Sequence, residues 1–179
     1  MGIDLKINNA DLLAKAEFWN THKSKFDDFA KKLGTKPKDT QLRTNKFANN
    51  AKYLEIGYLE MQLDRLFHGL WSLKVDDTKQ VLNSVQVTVT LSVFNPVAQI
   101  WIHRSGIGAK EIQLKKDTKD FIAENLSSKC LERDIPIAKA EAFKNACKSL
   151  GNSFGRHLNR DFDYDFIPDV NDVFSIKTK

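Results

Sequence analysis

The stretch VQVTVTLSV at 85–93 constrains the fold of this chain more than any other. Val85, Val87, Val89, Leu91 and Val93 alternate strictly with Gln, Thr and Ser. A period of two puts every apolar side chain on one face of a β-strand and every polar one on the other. Asn95-Pro96 is a turn signal, and AQIWIHR at 98–104 reads as the returning strand of a hairpin. WSLKV, opened by Trp71, reads as a further strand. Three antiparallel strands with one apolar face need helices to cover that face.

The chain has sequence for those helices. Residues 9–33 place Leu12, Leu13, Ala16 and Trp19, then Phe26, Phe29, Ala30 and Leu33, at helical spacing. Asn9 is a cap and Gly34, followed by Lys36-Pro37, is a stop. Residues 52–70 carry a second apolar stripe: Ile56, Leu59, Leu63, Leu66, Phe67 and Leu70. Pro136 is placed to open a third helix, buried along Phe143, Ala146, Cys147, Leu150 and Phe154. Glu141, Lys144, Asn145 and Lys148 fall on its other side. Between these elements, 35–50 reads as polar and irregular, and 105–134 as a long connection with a short helix near 117–126. The expected class is α+β, with a small antiparallel sheet (a β-hairpin plus one strand) packed by helices. The expected organisation is a helical extension over 1–34, a core over 35–160 and an acidic-aromatic segment over 161–179.

Charge narrows the partners. The 179 residues carry a formal net charge of +5. Residues 101–160 alone carry 12 Lys+Arg against 7 Asp+Glu, whereas 161–179 carry 2 against 5. A basic body with an acidic segment permits a nucleic-acid partner without requiring one. The two cysteines, Cys130 and Cys147, form no CxxC, so neither a disulfide framework nor a zinc site is expected. Cys147 lies on the apolar stripe and reads as a core residue. No segment has the ~20 apolar residues of a membrane span. The expectation is a soluble protein of a reducing, cytoplasmic compartment with no membrane partner.

Enzyme motifs are missing. There is no GxxxxGK[ST], and Gly106-Ile107-Gly108 lacks the third glycine of a dinucleotide fingerprint. His22, His68, His103 and His157 stand far apart, near no paired nucleophile. Asp161, Asp163, Asp165, Asp169 and Asp172 sit at calcium-loop spacing, but Phe166 occupies the position where the sharp turn needs Gly. No enzyme, cofactor or metal is expected. What remains is the basic residues. Lys144 and Lys148, one helical turn apart, point the same way. On composition, phosphate binding and plain solvation are equally open for them.

Residues 136–155, PIAKAEAFKNACKSLGNSFG, resemble the signature helix of the single-strand-annealing recombination mediators, the Rad-fifty-two family with its bacteriophage relatives. Upstream, Arg43 stands ten residues before Tyr53-Leu54-Glu55, which leads into Gly69-Leu70-Trp71-Ser72. That order, followed by the hairpin and a Gly106-Ile107-Gly108 turn, is similar to the family's over about residues 40–158. The resemblance implies a strand–strand–strand–helix core, a ring-forming homo-oligomer, and a basic groove that holds single-stranded DNA by its backbone. It implies annealing of complementary strands in recombination and repair, without ATP, in a bacterial host cell if the chain is phage-encoded. A single-strand-binding protein is a further expected partner. Arg43, Lys144 and Lys148 are the phosphate contacts it implies. Lys46, Lys52, Arg104 and Arg156 are the neighbouring cations added to the expected DNA-binding set. Asn145 departs from the family, which often has another cation there, and the lysine-bearing connection at 109–134 is longer than the family's.

Gly151 and Gly155 are expected to let the backbone turn and another segment approach closely. The acidic segment 161–179 is expected either to compete with DNA for the basic surface, to staple the ring, or to remain solvated. The alternative function is a replication or recombination accessory module, with weak nucleic-acid binding and a partner-binding acidic segment.

Overall fold

The computed structural model describes residues 9–46 and 48–160. The elements in chain order are α1 (Asn9–Gly34), β1 (Arg43–Asn45), β2 (Ala51–Tyr53), α2 (Ile56–Phe67), β3 (Trp71–Val81), β4 (Ser84–Asn95), β5 (Ile100–Glu111) and α3 (Cys130–Lys148). Among the described residues the fold is α+β, with three α-helices and two small antiparallel sheets.

The larger sheet has the order β3-β4-β5. The alternating stretch forms its central strand. Val85, Val87, Val89, Leu91 and Val93 are all buried, while the Gln, Thr and Ser between them lie on the open face. Fully burying one Val or Leu side chain contributes about 1.5–3 kcal/mol, so this strand anchors the core. The Asn95 side chain sets the turn into β5: its Oδ1 accepts the Val97 and Ala98 N–H groups, both at 2.9 Å.

β5 explains its own glycines. Gly106 and Gly108 lie in the interior of the strand, opposite Val89 and Val87, and not in the turn that the family resemblance implied. α3 crosses directly above them. A Cβ on Gly106 would sit 2.1 Å from the Ala142 carbonyl oxygen, and one on Gly108 would sit 2.2 Å from that of Ala138. Ala138, Ala142 and Ala146, four residues apart, are wholly buried on the facing side of the helix. Two strand residues advance about 6.8 Å and four helical residues about 6 Å. One glycine therefore meets each turn of the alanine row, and helix backbone rests on strand backbone.

α2 covers the rest of the sheet with Leu59, Leu63, Leu66 and Phe67, all buried. Its last turn is tied to β3 by the Trp71 indole, whose Nε1 donates to Asp64 Oδ1 at 2.7 Å. The Trp71 ring stacks on Phe143 of α3 at 6.1 Å between centroids. α1 joins the core only near its end. Phe29 meets Phe67 edge-on at 5.8 Å, and the Leu33 carbonyl lies where a Cβ on Gly151 would be, at 2.4 Å. Earlier in the same helix Leu13 and Trp19 are more than half exposed, so that part of its apolar stripe faces outward. The end of the segment expected as an extension thus contributes to the core itself.

Further expectations need correction. β5 runs to Glu111, into the span expected as a connection, and α3 ends at Lys148, so Leu150 and Phe154 of its expected stripe lie beyond it. Residues 35–50 contain strand β1, which pairs with β2 as a second sheet, because Asn49 and Asn50 hold the left-handed conformation that closes a tight turn. β3 runs past Val75 to Val81, interrupted by a bulge between Val75 and Asp77. The helix expected near 117–126 is only a 3-10 turn at Ala123–Asn125, beside a bridge from Leu114 to Leu126. Pro136 does not open α3 but sits inside it, since the helix starts at Cys130. The missing N–H frees the carbonyl of Glu132, and both residues lie on the exposed side, where water can satisfy that group.

Cys147 is in the core, as its position on the stripe predicted, and is wholly buried. Burial drives its thiol far above its ordinary value, with Glu60 adding repulsion. At pH 8 the folded protein should leave Cys147 unmodified by iodoacetamide, and denaturant should expose it to reaction. Mass spectrometry of the alkylated peptide checks this; rapid native labelling would place the thiol outside the core. The neutral thiol's contribution to stability is intact below about pH 8.5 and erodes as the pH rises toward the elevated native value. Among the described residues no helix is long and apolar enough to cross a membrane, and no cluster of metal-ligating side chains occurs. The acidic positions considered for calcium lie outside the described residues.

Candidate nucleic-acid interface

The small β1–β2 sheet, the C-terminal half of α3 and the segment 154–159 together enclose a cleft of about 660 Å³. Local chemistry holds each wall. β2 pairs with β1 through Arg43↔Tyr53, Thr44↔Lys52 and Asn45↔Ala51. The free side of β2 is clamped by Asn159, which accepts the Lys52 N–H at 2.7 Å and donates to the Lys52 carbonyl at 2.6 Å. Gly155, with φ near +82°, adopts the left-handed conformation that turns the chain after Phe154 back toward β2. A Cβ here would meet Leu54 and Leu158 only at ordinary contact distance, so the backbone conformation, not space, is what favours glycine.

Four of the seven expected cations line this cleft: Lys46, Lys52, Lys144 and Lys148. Glu141 is the one acidic residue in the lining. Lys46 and Lys52 reach it from opposite ends of the β1–β2 turn, and Lys144 and Lys148 from successive turns of α3. Lys144 is the most confined, its side chain only 19% exposed, with Nζ 2.8 Å from Glu141 Oε1 and 5.2 Å from the centroid of the Tyr53 ring. Lys52 Nζ pairs with Asp39 at 3.0 Å. Lys148 Nζ donates to Asn145 Oδ1 at 3.1 Å. The exposed Lys52–Asp39 pair is worth about 0–1 kcal/mol and Lys148 is held only by a neutral amide, so an incoming phosphate can compete for these two ammonium groups, whereas Lys144 is more firmly held.

The other three expected cations lie outside the lining. Arg43 opens β1, and its Nε is 3.2 Å from Glu55 Oε1. The fold thus brings together the Arg and the Tyr-x-Glu that the sequence places ten to twelve residues apart. Arg156 closes the C-terminal end of α3, donating to the Lys148 and Ser149 carbonyls. Those are the orphan acceptors of a helix end, so this guanidinium has a structural task. Arg104 is on β5 opposite Leu91 and donates to the adjacent His103 carbonyl.

Asn145 also acquires a role. Its Nδ2 donates to the Ile107 carbonyl at 2.8 Å, on the outer edge of β5. A lysine here could not both cap that carbonyl and accept from Lys148. Tyr53, Asn45, Thr44 and Asn159 are cleft residues that sequence reading did not assign. Tyr53 stood inside a noted motif and so carried a signal. Asn159 carried none, because its partner is more than a hundred residues away.

The arrangement presents ammonium groups, two asparagines and one aromatic face in an open cleft. It offers no nucleophile–base pair among the described residues that line it. Comparison with protein-family models and with curated proteins finds no match to this chain.

Proposed function

We propose that this chain binds single-stranded DNA by its phosphates along the cleft, and that it promotes annealing of complementary strands as a ring-forming homo-oligomer without ATP. The observation that carries this reading is the convergence of four lysines from two distant elements on one cleft, beside the Tyr53 ring. Phosphate contacts hold a strand without reading its sequence and leave base edges free to pair. An aromatic face adds sequence-tolerant stacking. The segment 136–155 supports the family reading because two of its three lysines, Lys144 and Lys148, line the cleft.

The second reading, an accessory module with weak nucleic-acid binding, draws on the sheet edges. β3 carries a bulge and the charged run Lys74, Asp76, Asp77 and Lys79, which discourage strand pairing. The Asn145 cap occupies part of the β5 edge. A ring built on this chain would therefore close through faces or helices more readily than by continuing the sheet.

Fluorescence anisotropy with labelled single-stranded and duplex oligonucleotides, together with mass photometry, tests the proposal. The expected result is sequence-independent binding of single strands that weakens with salt, a large closed oligomer, and accelerated annealing of complementary strands. Absence of single-strand binding at low salt overturns the DNA reading. Only monomers and dimers, with and without DNA, overturn the ring.

A further inference from the structure

The described chain reaches the cleft just as its charge changes sign. Leu158 and Asn159 are themselves lining residues, and Asn159 is fastened to Lys52 by two hydrogen bonds. The next residues are Arg160 and then DFDYDFIPDVND, which brings five aspartates and three aromatic residues, and the next lysine comes only at 177. An extended chain advances about 3.3 Å per residue. The chain therefore lets Asp161, Asp163 and Asp165 reach at most about 7, 13 and 20 Å from Asn159, itself a lining residue of the cleft. The cleft offers four lysines against one glutamate.

We propose that the segment 161–179 docks in the basic cleft of its own chain, its aspartates taking the phosphate positions. The charges are complementary and the tether starts at the cleft wall. A short tether gives an effective concentration in the millimolar range, so even weak individual pairs suffice. Phe162, Tyr164 and Phe166 alternate with the acids, so in an extended strand they share the face opposite the carboxylates. Of the roles open to this segment, competition with DNA follows from its starting point. A staple to a neighbour would need the chain to leave a cleft that its own aspartates fit. The competition rests on the single-strand reading above; the docking itself does not.

The test uses the full-length chain with Asp161→Asn, Asp163→Asn and Asp165→Asn combined, and a labelled synthetic peptide of residues 161–179. The Asn variant is expected to bind single strands about three- to tenfold more tightly than wild type at low salt, with the difference vanishing at high salt. The labelled peptide should bind the Asn variant more tightly than the wild type, whose cleft is already filled. Adding Lys46→Glu and Lys148→Glu to the Asn variant should abolish peptide binding. Peptide binding with no DNA binding by either protein supports the docking and overturns the DNA reading. No peptide binding together with unchanged DNA affinity overturns the docking, and a loss of oligomer mass with unchanged affinity overturns it in favour of a staple.

Discussion

Gly106→Val should unfold this protein. The first atom the substitution adds, Cβ, would lie 2.1 Å from the Ala142 carbonyl oxygen, 2.6 Å from the Ala146 nitrogen and 2.9 Å from the Ala146 Cβ. Two of those neighbours are helix backbone, which cannot rotate away as a side chain can. α3 would have to lift from β5, and lifting it opens the layer between Ala138, Ala142, Ala146 and the valines of β4. The expected loss is about 4 kcal/mol or more, the range reached only when a core is overpacked or emptied. Gly57→Ala is the matching control. Gly57 is exposed in the first turn of α2, and a Cβ there meets nothing within 4 Å. Alanine should stabilise that helix by about 0.5–1 kcal/mol. Urea denaturation followed by circular dichroism measures both. A Gly106→Val protein with a wild-type midpoint would mean that α3 does not rest on the strand.

The second large effect is on binding. Lys46→Glu combined with Lys148→Glu should remove most single-strand affinity while leaving the fold intact. Both side chains are exposed and neither is in a carboxylate pair among the described residues, so reversal strands no buried partner. Surface changes of this kind shift stability by about 0.5 kcal/mol or less. Losing two phosphate contacts should lower the salt slope of single-strand binding by about 1.4, and the loss should be the same for all sequences. Lys144 is a poorer probe. It is held between Glu141 and the Tyr53 ring, so its removal disturbs packing as well as charge. Anisotropy titrations at two salt concentrations, with a thermal melt of each protein, separate the effects. Unchanged DNA affinity in the double variant would remove the cleft from the binding surface.

Some of this was legible without coordinates. β4 was, because a period of two is a local property and β-branched residues prefer the pleated state wherever they sit. The stripes were legible for the same reason as far as Phe67 in α2 and Cys147 in α3, but Leu70, Leu150 and Phe154 fall beyond the helix ends; the fate of Cys147 was fixed by its place on a stripe. Charge was legible as sign but not as location.

The rest was decided by partners remote in sequence. A Gly-x-Gly reads equally as a turn or as a strand pressed by another backbone. The choice depended on an alanine row that begins thirty residues later. The polar run at 35–50 lacked strand composition, and β1 exists because Arg43 and Asn45 find β2 across a tight turn. Seven cations looked alike in sequence. The cleft is defined by the β1–β2 sheet meeting α3, which brings Lys46 and Lys52 to Lys144 and Lys148. Arg156 was diverted to the helix end because orphan carbonyls lay within reach of its guanidinium. Periodicity reports which face of an element is apolar, so sequence alone determined the core strand and the helices above it. Which side chains converge is set by packing between elements far apart in the chain, and only the tertiary structure decided that.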